Sequence, residues 1–97
     1  METAVRFGIL GSLHVQRGKR QITVSAAKQR IILAKLLLEA NRVVLTDELM
    51  DLLWPDRYPR HGRASLQTHL SRLRRTLGDD RDGQGTIRTR PGGYLIE

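Results

Sequence analysis

The chain has 97 residues, with 17 Lys or Arg against 10 Asp or Glu, so its formal net charge is +7 at neutral pH. This length suits one domain with a hydrophobic core and excludes a barrel enzyme of ~250 residues, and the lack of cysteine excludes disulfide scaffolds and thiolate sites. The positive charge indicates a polyanionic partner. Nucleic acid is the first candidate, and an anionic membrane surface is the second.

The N-terminal quarter of the chain predicts an antiparallel sheet. Apolar residues alternate there as in strands: Val5, Phe7 and Ile9, then Leu13 and Val15. A turn is expected at Gly18-Lys19, followed by a returning strand over 21–24. The first residues lack the layout of a secretion signal, and no apolar run approaches the ~20 residues of a membrane span. We therefore expect a soluble cytoplasmic protein without a membrane partner.

Two helices are predicted next, separated by a short extended stretch at 43–45. The first helix covers about 26–40, with Ser25 as its N-cap. The second begins at Thr46, another N-cap candidate, and ends near Trp54 because a proline follows. Trp54 is interpreted as a core plug whose indole N–H can still point outward.

The third predicted helix, over 63–77 and stopped by Gly78, has one apolar face and one basic face. Its buried stripe contains Leu66, Leu70, Leu73 and Leu77. The opposite side carries Ala64, Ser65, Thr68, Ser71, Arg72 and Arg75. Gln67 and Arg74 lie on one flank, and His69 lies on the other. Residues 57–78 contain six arginines and no acid, whereas residues 39–56 contain five acids and one arginine, so we expect one basic working face and one acidic face.

A basic β-hairpin is predicted at the end of the chain. A polar, glycine-rich connection over 79–85 leads into a hairpin over 86–96, with Arg88 and Arg90 beside its tip. A sheet, three helices and a basic hairpin form the layout of a winged helix-turn-helix. We therefore expect an α+β fold of one domain, residues 1–97.

The side chains of the third helix suit the edges of DNA bases. Arg pairs bidentately with guanine, Gln pairs with adenine, and the Thr methyl contacts the thymine methyl in the major groove. An arginine on a thin hairpin suits the narrow minor groove of A·T-rich DNA. A solvated basic face without a ligand is the alternative.

Other functional classes have weaker sequence support. His14, His61 and His69 lack metal-ligand spacing, so neither a metal nor another cofactor is expected. Ser12 and His14 have no oxyanion loop beside them, and no phosphate-binding glycine motif occurs, so no enzymatic activity is expected. The alternatives are a basic RNA-binding or ribosome-associated protein, although the four aromatic residues form no stacking array, and a protein-interaction module.

Three stretches, in this order and spacing, carry a family resemblance: AAKQRIILAKLLLEANRVVLTDELMDLLWP, RASLQTHLSRLRRTLG and TRPGGYLIE. Their most specific pieces are the HLSRLRR run, the Leu-Trp-Pro ending and the Arg-Pro-Gly-Gly-Tyr tip. Together they resemble the DNA-binding domain of the Streptomyces antibiotic regulatory proteins. These are bacterial transcriptional activators whose N-terminal domain is a winged helix of the OmpR/PhoB type. The resemblance covers essentially the whole chain.

The resemblance implies a role for each polar residue of the basic surface. Base contacts are implied for Gln67, Thr68 and Arg72 in the major groove and for Arg90 in the minor groove. Contacts to the DNA backbone are implied for Arg63, Ser65, His69, Ser71, Arg74, Arg75, Arg88 and Trp54. A loop that contacts RNA polymerase is implied over 55–62, with Asp56, Arg57, Tyr58 and Arg60.

The resemblance also implies partners. They are double-stranded DNA with direct repeats near a promoter, and RNA polymerase through its sigma or alpha subunit. The domain is then a monomer in solution or a head-to-tail pair on DNA, and it works at the nucleoid. No receiver domain is present, so no phosphorylation site of that type is expected.

Two features depart from the family pattern. Ser71 stands where OmpR/PhoB members often have a basic residue, and serine there is typical of the antibiotic-regulator branch. The family normally continues into a helical activation domain, whereas this sequence ends at Glu97. The chain is therefore expected to be either a domain cut at its boundary or a stand-alone binding domain.

Overall fold

The order of helices and strands is that of a winged helix. The computed structural model describes residues 3–7, 13–17, 19–78 and 85–97. Its elements are β1 (Thr3–Phe7), β2 (Leu13–Arg17), β3 (Arg20–Val24), α1 (Ala27–Leu38), β4 (Val44–Leu45), α2 (Thr46–Leu53), α3 (Gly62–Leu77), β5 (Arg88–Arg90) and β6 (Gly93–Leu95). The predicted α+β architecture is confirmed.

Two antiparallel sheets of three strands flank the helices. The first has the order β1-β2-β3, and the second has the order β4-β6-β5. In the second sheet, β6 pairs with both the short strand before α2 and its own hairpin partner β5. We call the β5–β6 hairpin the wing. The predictions that concern Ile9, Ser12, Gly18 and residues 79–84 lie outside the described part of the chain.

The prediction of Ser25 as an N-cap is wrong by one residue. Helix α1 begins at Ala27, and its N-cap is Ala26, whose side chain makes no capping hydrogen bond. The helix ends at Leu38, two residues before its predicted end. Asn41 then adopts a left-handed φ of 69°, a conformation that asparagine tolerates better than most residues.

The prediction of Thr46 as an N-cap is also wrong, because Thr46 is the first residue of α2 and Leu45 is the N-cap. The backbone N–H of Leu45 donates to Glu48 Oε2 at 3.3 Å, which is the carboxylate half of a capping box. The Thr46 hydroxyl instead donates to the carbonyl oxygen of Gly92 at 3.3 Å. The start of α2 is thereby tied to the tip of the wing.

The core joins the helices to both sheets. The predicted leucine stripe of α3 is confirmed, since Leu66, Leu70, Leu73 and Leu77 are at most 1% exposed. Apolar residues of every neighbouring element surround it: Leu13, Val15, Ile22, Val24, Ile32, Leu33, Leu36, Val44, Leu49, Met50, Leu53, Ile87, Tyr94 and Ile96. Within the described ranges, none of the helices combines the length and apolar character needed to cross a bilayer.

The end of α3 is set by Gly78. It adopts a left-handed φ of 77°, and its N–H bonds the carbonyl oxygens of Arg74 and Arg75, as the sequence predicted for a glycine stop. Burying the leucine stripe turns the opposite side of α3 outward, and that side is the basic face.

Candidate nucleic-acid interface

The outward side of α3 forms a shallow polar concavity. Five predicted contact residues line it together: Gln67, Thr68, Ser71, Arg72 and Arg75. All five are exposed. Among the described residues, neither Arg72 nor Arg75 makes an ion pair. The structure therefore brings together the residues predicted for the major groove, with two cationic side chains available to an anion.

Thr68 presents a methyl group at this surface. Its hydroxyl donates to the carbonyl oxygen of Ala64 at 3.1 Å, one turn earlier in α3. With the hydroxyl proton used inside the helix, the methyl group and an acceptor lone pair are left for an outside partner. This arrangement suits contact with a thymine methyl.

Two of the predicted contact residues of α3 reach the wing. The amide Nε2 of Gln67 donates to the phenol oxygen of Tyr94, which is 5% exposed. Arg74 Nη2 donates to the carbonyl oxygen of Ile87 at 3.1 Å and to Thr89 Oγ1 at 2.8 Å. The guanidinium carbon of Arg74 also lies 5.8 Å from the centre of the Tyr94 ring, within cation–π range.

The wing carries its arginines on the other face. Thr89 is the register partner of Tyr94, and opposed residues of an antiparallel pair share a face, so Thr89 is on the α3 side. Arg88 and Arg90 alternate with Thr89 and therefore face away from α3. Glu97 bridges them, with carboxylate oxygens 3.6 Å from Arg88 Nη1 and 3.7 Å from Arg90 Nη2.

The remaining residues predicted to contact the DNA backbone lie on α3 or, in the case of Trp54, at the end of α2. Arg63 is exposed in the first turn and pairs with Asp47 at 3.5 Å. Ser65 and His69 are partly buried. Trp54 is partly buried against the core, which agrees with its interpretation as a plug, and its ring centre lies 6.5 Å from that of His69.

Lys28 of α1 completes a cluster with Trp54 and His69. Its Nζ lies 5.5 Å from the centre of the Trp54 ring and donates to the Leu53 carbonyl oxygen at 3.2 Å. Burial lowers the pKa of His69 from its ordinary value, and the charges of Lys28 and Arg72 lower it further.

This lowered pKa predicts a loss of stability in mild acid. The unfolded chain takes up a proton at His69 near pH 6.5, whereas the folded chain resists it, so the unfolded state binds more protons between the two pKa values. The free energy of unfolding should be highest above about pH 6.5, where His69 is neutral in both states. It should fall as the pH drops from there through the lower pKa of the folded state. Urea titrations from pH 5 to 8 measure the effect. His69→Gln should flatten the dependence of the free energy of unfolding on pH. His61→Gln, at an exposed histidine, is the control and should leave that dependence unchanged. The same pH dependence in both variants would contradict the assignment of the effect to His69.

The connection between α2 and α3 presents the residues predicted to contact RNA polymerase. Asp56, Arg57 and Arg60 are exposed, and Tyr58 is 44% exposed. The Tyr58 hydroxyl donates to a carboxylate oxygen of Asp51 on α2, a bond that raises the pKa of Tyr58. This hydrogen bond therefore joins the connection to α2.

Sequence reasoning missed three residues at this surface. Lys28 is absent from the predicted contact residues, because a lysine on another helix gives no sequence signal of its cation–π partner. Tyr94 was noticed only within the tip motif, and its burial beneath Gln67 and Arg74 follows from tertiary packing. The position of Glu97, three residues after Tyr94, could have suggested a charge partner for the wing. In the described ranges, no three His, Asp or Glu side chains gather in a way that could hold a metal ion.

The family model described as "Transcriptional regulatory protein, C terminal" matches residues 19–96. The chain belongs to this family. Its members have the OmpR/PhoB-type domain that the sequence resembles, and the resemblance to the Streptomyces antibiotic regulatory proteins is confirmed.

Two regulators illustrate how this family domain matches longer proteins. The chain is 36% identical over 94 residues to Transcriptional regulatory protein MoaR1 of Mycobacterium tuberculosis, covering 96% of the chain and 30% of MoaR1. It is 36% identical over 93 residues to Regulatory protein AfsR of Streptomyces griseus, covering 96% of the chain and 9% of AfsR. The chain thus spans less than a third of either relative.

Two solved structures support the fold. Mycobacterium tuberculosis EmbR, solved with a low-affinity phosphopeptide, has a TM-score of 0.76 at 33% identity, over 99% of this chain and 26% of that one. The Klebsiella pneumoniae RstA DNA-binding domain, solved in complex with the RstA box, has a TM-score of 0.70 at 24% identity. It covers 99% of this chain and 97% of that domain, and at this identity it supports the fold alone. The chain is thus a DNA-binding domain of a transcriptional regulator.

Proposed function

We propose that this domain, taken as residues 1–97, binds double-stranded DNA sequence-specifically for a bacterial transcriptional activator of secondary-metabolite or antibiotic genes. The observation that carries the proposal is the shared concavity of Gln67, Thr68, Ser71, Arg72 and Arg75 on the outer face of a buried helix. An α-helix fits the major groove, and these side chains match the donors, acceptors and methyl groups exposed there. The fold is also that of the RstA domain solved with its DNA box.

The proposed contacts divide into those that specify and those that position. In the major groove, Arg72 pairs with a guanine edge, and Gln67 and Thr68 contact neighbouring bases. Arg90 enters the minor groove at the wing. The DNA backbone is held by a larger set: Trp54, Arg63, Ser65, His69, Ser71, Arg75 and Arg88. Arg74 was predicted as a member of this set, but its Nη2 bonds the wing. Phosphate contacts of this kind set the register without selecting sequence.

The proposal includes direct repeats bound head to tail by successive copies. It also includes recruitment of the sigma or alpha subunit of RNA polymerase through Asp56, Arg57, Tyr58 and Arg60. The hydrogen bond from Tyr58 to Asp51 supports this second element, since a side chain that is already held loses less conformational entropy when a partner binds. Chromosomal DNA as the target places the domain in the cytoplasm, at the nucleoid. No enzymatic activity is included.

The experiment selects an operator from a random duplex pool and then measures fluorescence anisotropy at several salt concentrations. The titrations use the selected duplex, a scrambled duplex, the single strand and an RNA duplex. We expect tight binding to the selected duplex and weaker, steeply salt-dependent binding to the scrambled one. Equal, purely salt-driven binding to all four would overturn the proposal and leave the basic surface as an unspecific patch.

Arg72→Ala should separate base recognition from charge. We expect a loss of about 1–3 kcal/mol on the selected duplex and a relaxed preference at one base position. Arg75→Ala is the matched control, because it removes the same charge one turn away. It should weaken binding to every duplex alike and reduce the salt slope by about 1. An equal loss for Arg72→Ala on selected and scrambled duplexes would remove Arg72 from the base-reading set.

A further inference from the structure

Four side chains join α3 to the wing: Gln67, Arg74, Thr89 and Tyr94. We call them the helix–wing clamp. We infer that Arg74 is a positioning residue, which acts through this clamp to fix the wing against α3, rather than a ligand of a DNA phosphate. The inference rests on the proposed function. In that function α3 and the wing contact two grooves at once, so the position of the wing against α3 matters for binding.

The bonds of Arg74 point inward. Its Nη2 makes both hydrogen bonds to the wing, to the carbonyl oxygen of Ile87 and to Thr89 Oγ1. Its Nε is buried and makes no hydrogen bond with the described residues. Its guanidinium lies against the Tyr94 ring. A phosphate ligand needs donors turned to solvent, whereas Nη2 of Arg74 is turned to the wing and its Nε is buried.

Gln67 reinforces the same junction two turns earlier. Gln67 and Arg74 are seven positions apart and therefore lie on one flank of α3. Gln67 bonds the hydroxyl of Tyr94, and Arg74 packs on its ring, so the two side chains hold the same buried tyrosine. Tyr94 belongs to β6, the central strand of the second sheet. The angle between α3 and the whole sheet is thus fixed at two points.

The clamp bears directly on Arg90. Thr89 receives the shorter of the two hydrogen bonds from Arg74 Nη2 and is the residue immediately before Arg90 in β5. Because side chains alternate along a strand, holding Thr89 against α3 points Arg90 to the opposite face. In the proposed complex, β5 carries Arg90 into the minor groove. Loss of the hydrogen bond from Arg74 to Thr89 should therefore loosen β5 and misplace Arg90.

A double-mutant cycle tests this role. One background keeps the wing arginines, and the other carries Arg88→Ala and Arg90→Ala. With the wing arginines present, Arg74→Ala should weaken binding to the selected duplex about tenfold, or ~1.4 kcal/mol. In their absence it should cost less than about twofold and leave the salt slope unchanged, because there is no wing contact left to position.

Arg75→Ala is the matched control in both backgrounds. Its loss should be the same in each, with the salt slope reduced by about 0.9 each time. If Arg74→Ala behaves like Arg75→Ala, with additive losses and a reduced slope in both backgrounds, Arg74 is a phosphate ligand and the inference is overturned. If wild-type protein shows no preference for the selected duplex, the proposed function fails instead.

Thr89→Val tests the clamp without removing a charge. It keeps the shape of the side chain and deletes only the oxygen that receives the Arg74 bond. We expect weaker binding in the first background and no effect in the second. Unchanged binding in the first background would count against the clamp. Tighter binding would also count against it, because the released Arg74 guanidinium would then act as a phosphate ligand.

A measurement on the free domain is independent of DNA. Hydrogen exchange of the β5 amides should accelerate in both Arg74→Ala and Thr89→Val, while the amides of α1 keep their protection. The wild type and Arg75→Ala serve as references. Unchanged β5 exchange in both variants would overturn the clamp, whatever the DNA titrations show.

Discussion

Replacing Gly93 with alanine should remove the second sheet from the folded domain. A Cβ at Gly93 would lie 2.2 Å from the carbonyl oxygen of Val44 and 2.9 Å from the Val43 side chain. The oxygen belongs to backbone, so it cannot move aside as a flexible side chain would. Strands β4 and β6 must separate, and Tyr94, which pairs with Val44, leaves its buried place. We expect the free energy of unfolding to fall by more than about 3 kcal/mol, as in severe overpacking.

The neighbouring glycine provides the control for this experiment. Gly92 has a left-handed φ of 80°, but a Cβ there meets only the Leu45 side chain, at 3.9 Å. Gly92→Ala should therefore cost only the ~1–2 kcal/mol of placing an L-residue in the left-handed region. Urea unfolding of both variants measures the difference. If Gly93→Ala proved as stable as Gly92→Ala, the close approach of β4 and β6 would be refuted.

Leu70→Ala should destabilise the whole domain rather than alter the outer face of α3. Leu70 has no exposed surface and lies in the middle of the leucine stripe of α3. Truncation removes buried methyl groups and leaves a cavity, which together cost about 2–5 kcal/mol. For a domain of this size that is a large share of the total stability. Denaturant unfolding and DNA titration, made on the same preparations, give both readings.

Leu38→Ala is the matched control for Leu70→Ala, since the chemical change is identical. Leu38 ends α1 and is 84% exposed, so its truncation should change the free energy of unfolding by no more than about 0.5 kcal/mol. A Leu70→Ala protein that folded as stably as Leu38→Ala and failed only in DNA binding would mean that α3 turns a different face to the core.

Periodicity and glycine stops were sufficient to predict most of the fold from the sequence. The spacing of Leu66, Leu70, Leu73 and Leu77 predicts the buried face of α3. The outer face is then the opposite side of the helix. The αL conformation at Gly78 was equally readable, because glycine adopts it without steric cost. Element order and hairpin tip followed from similarly local signals.

The helix starts and the partners of long side chains could not be predicted. Ser25 and Thr46 are good capping types, but the chain turns one residue later or earlier, since tertiary contacts such as the bond from Thr46 to Gly92 compete with local capping. The sequence placed Gln67 and Arg74 on one flank of α3 and could not say what faced that flank. Only the packed structure shows that Tyr94 and Thr89 lie there.

The tie between α2 and the wing has a consequence for the order of folding. Thr46 and Gly92, which meet in the structure, are 46 positions apart in the chain. Closing so long a loop costs entropy before any bond repays it, whereas helices form from neighbouring residues. The three helices should therefore assemble early and the second sheet late. On a ribosome, α3 emerges before the two strands of the wing. The basic face of α3 is therefore exposed on the nascent chain before the wing is in place.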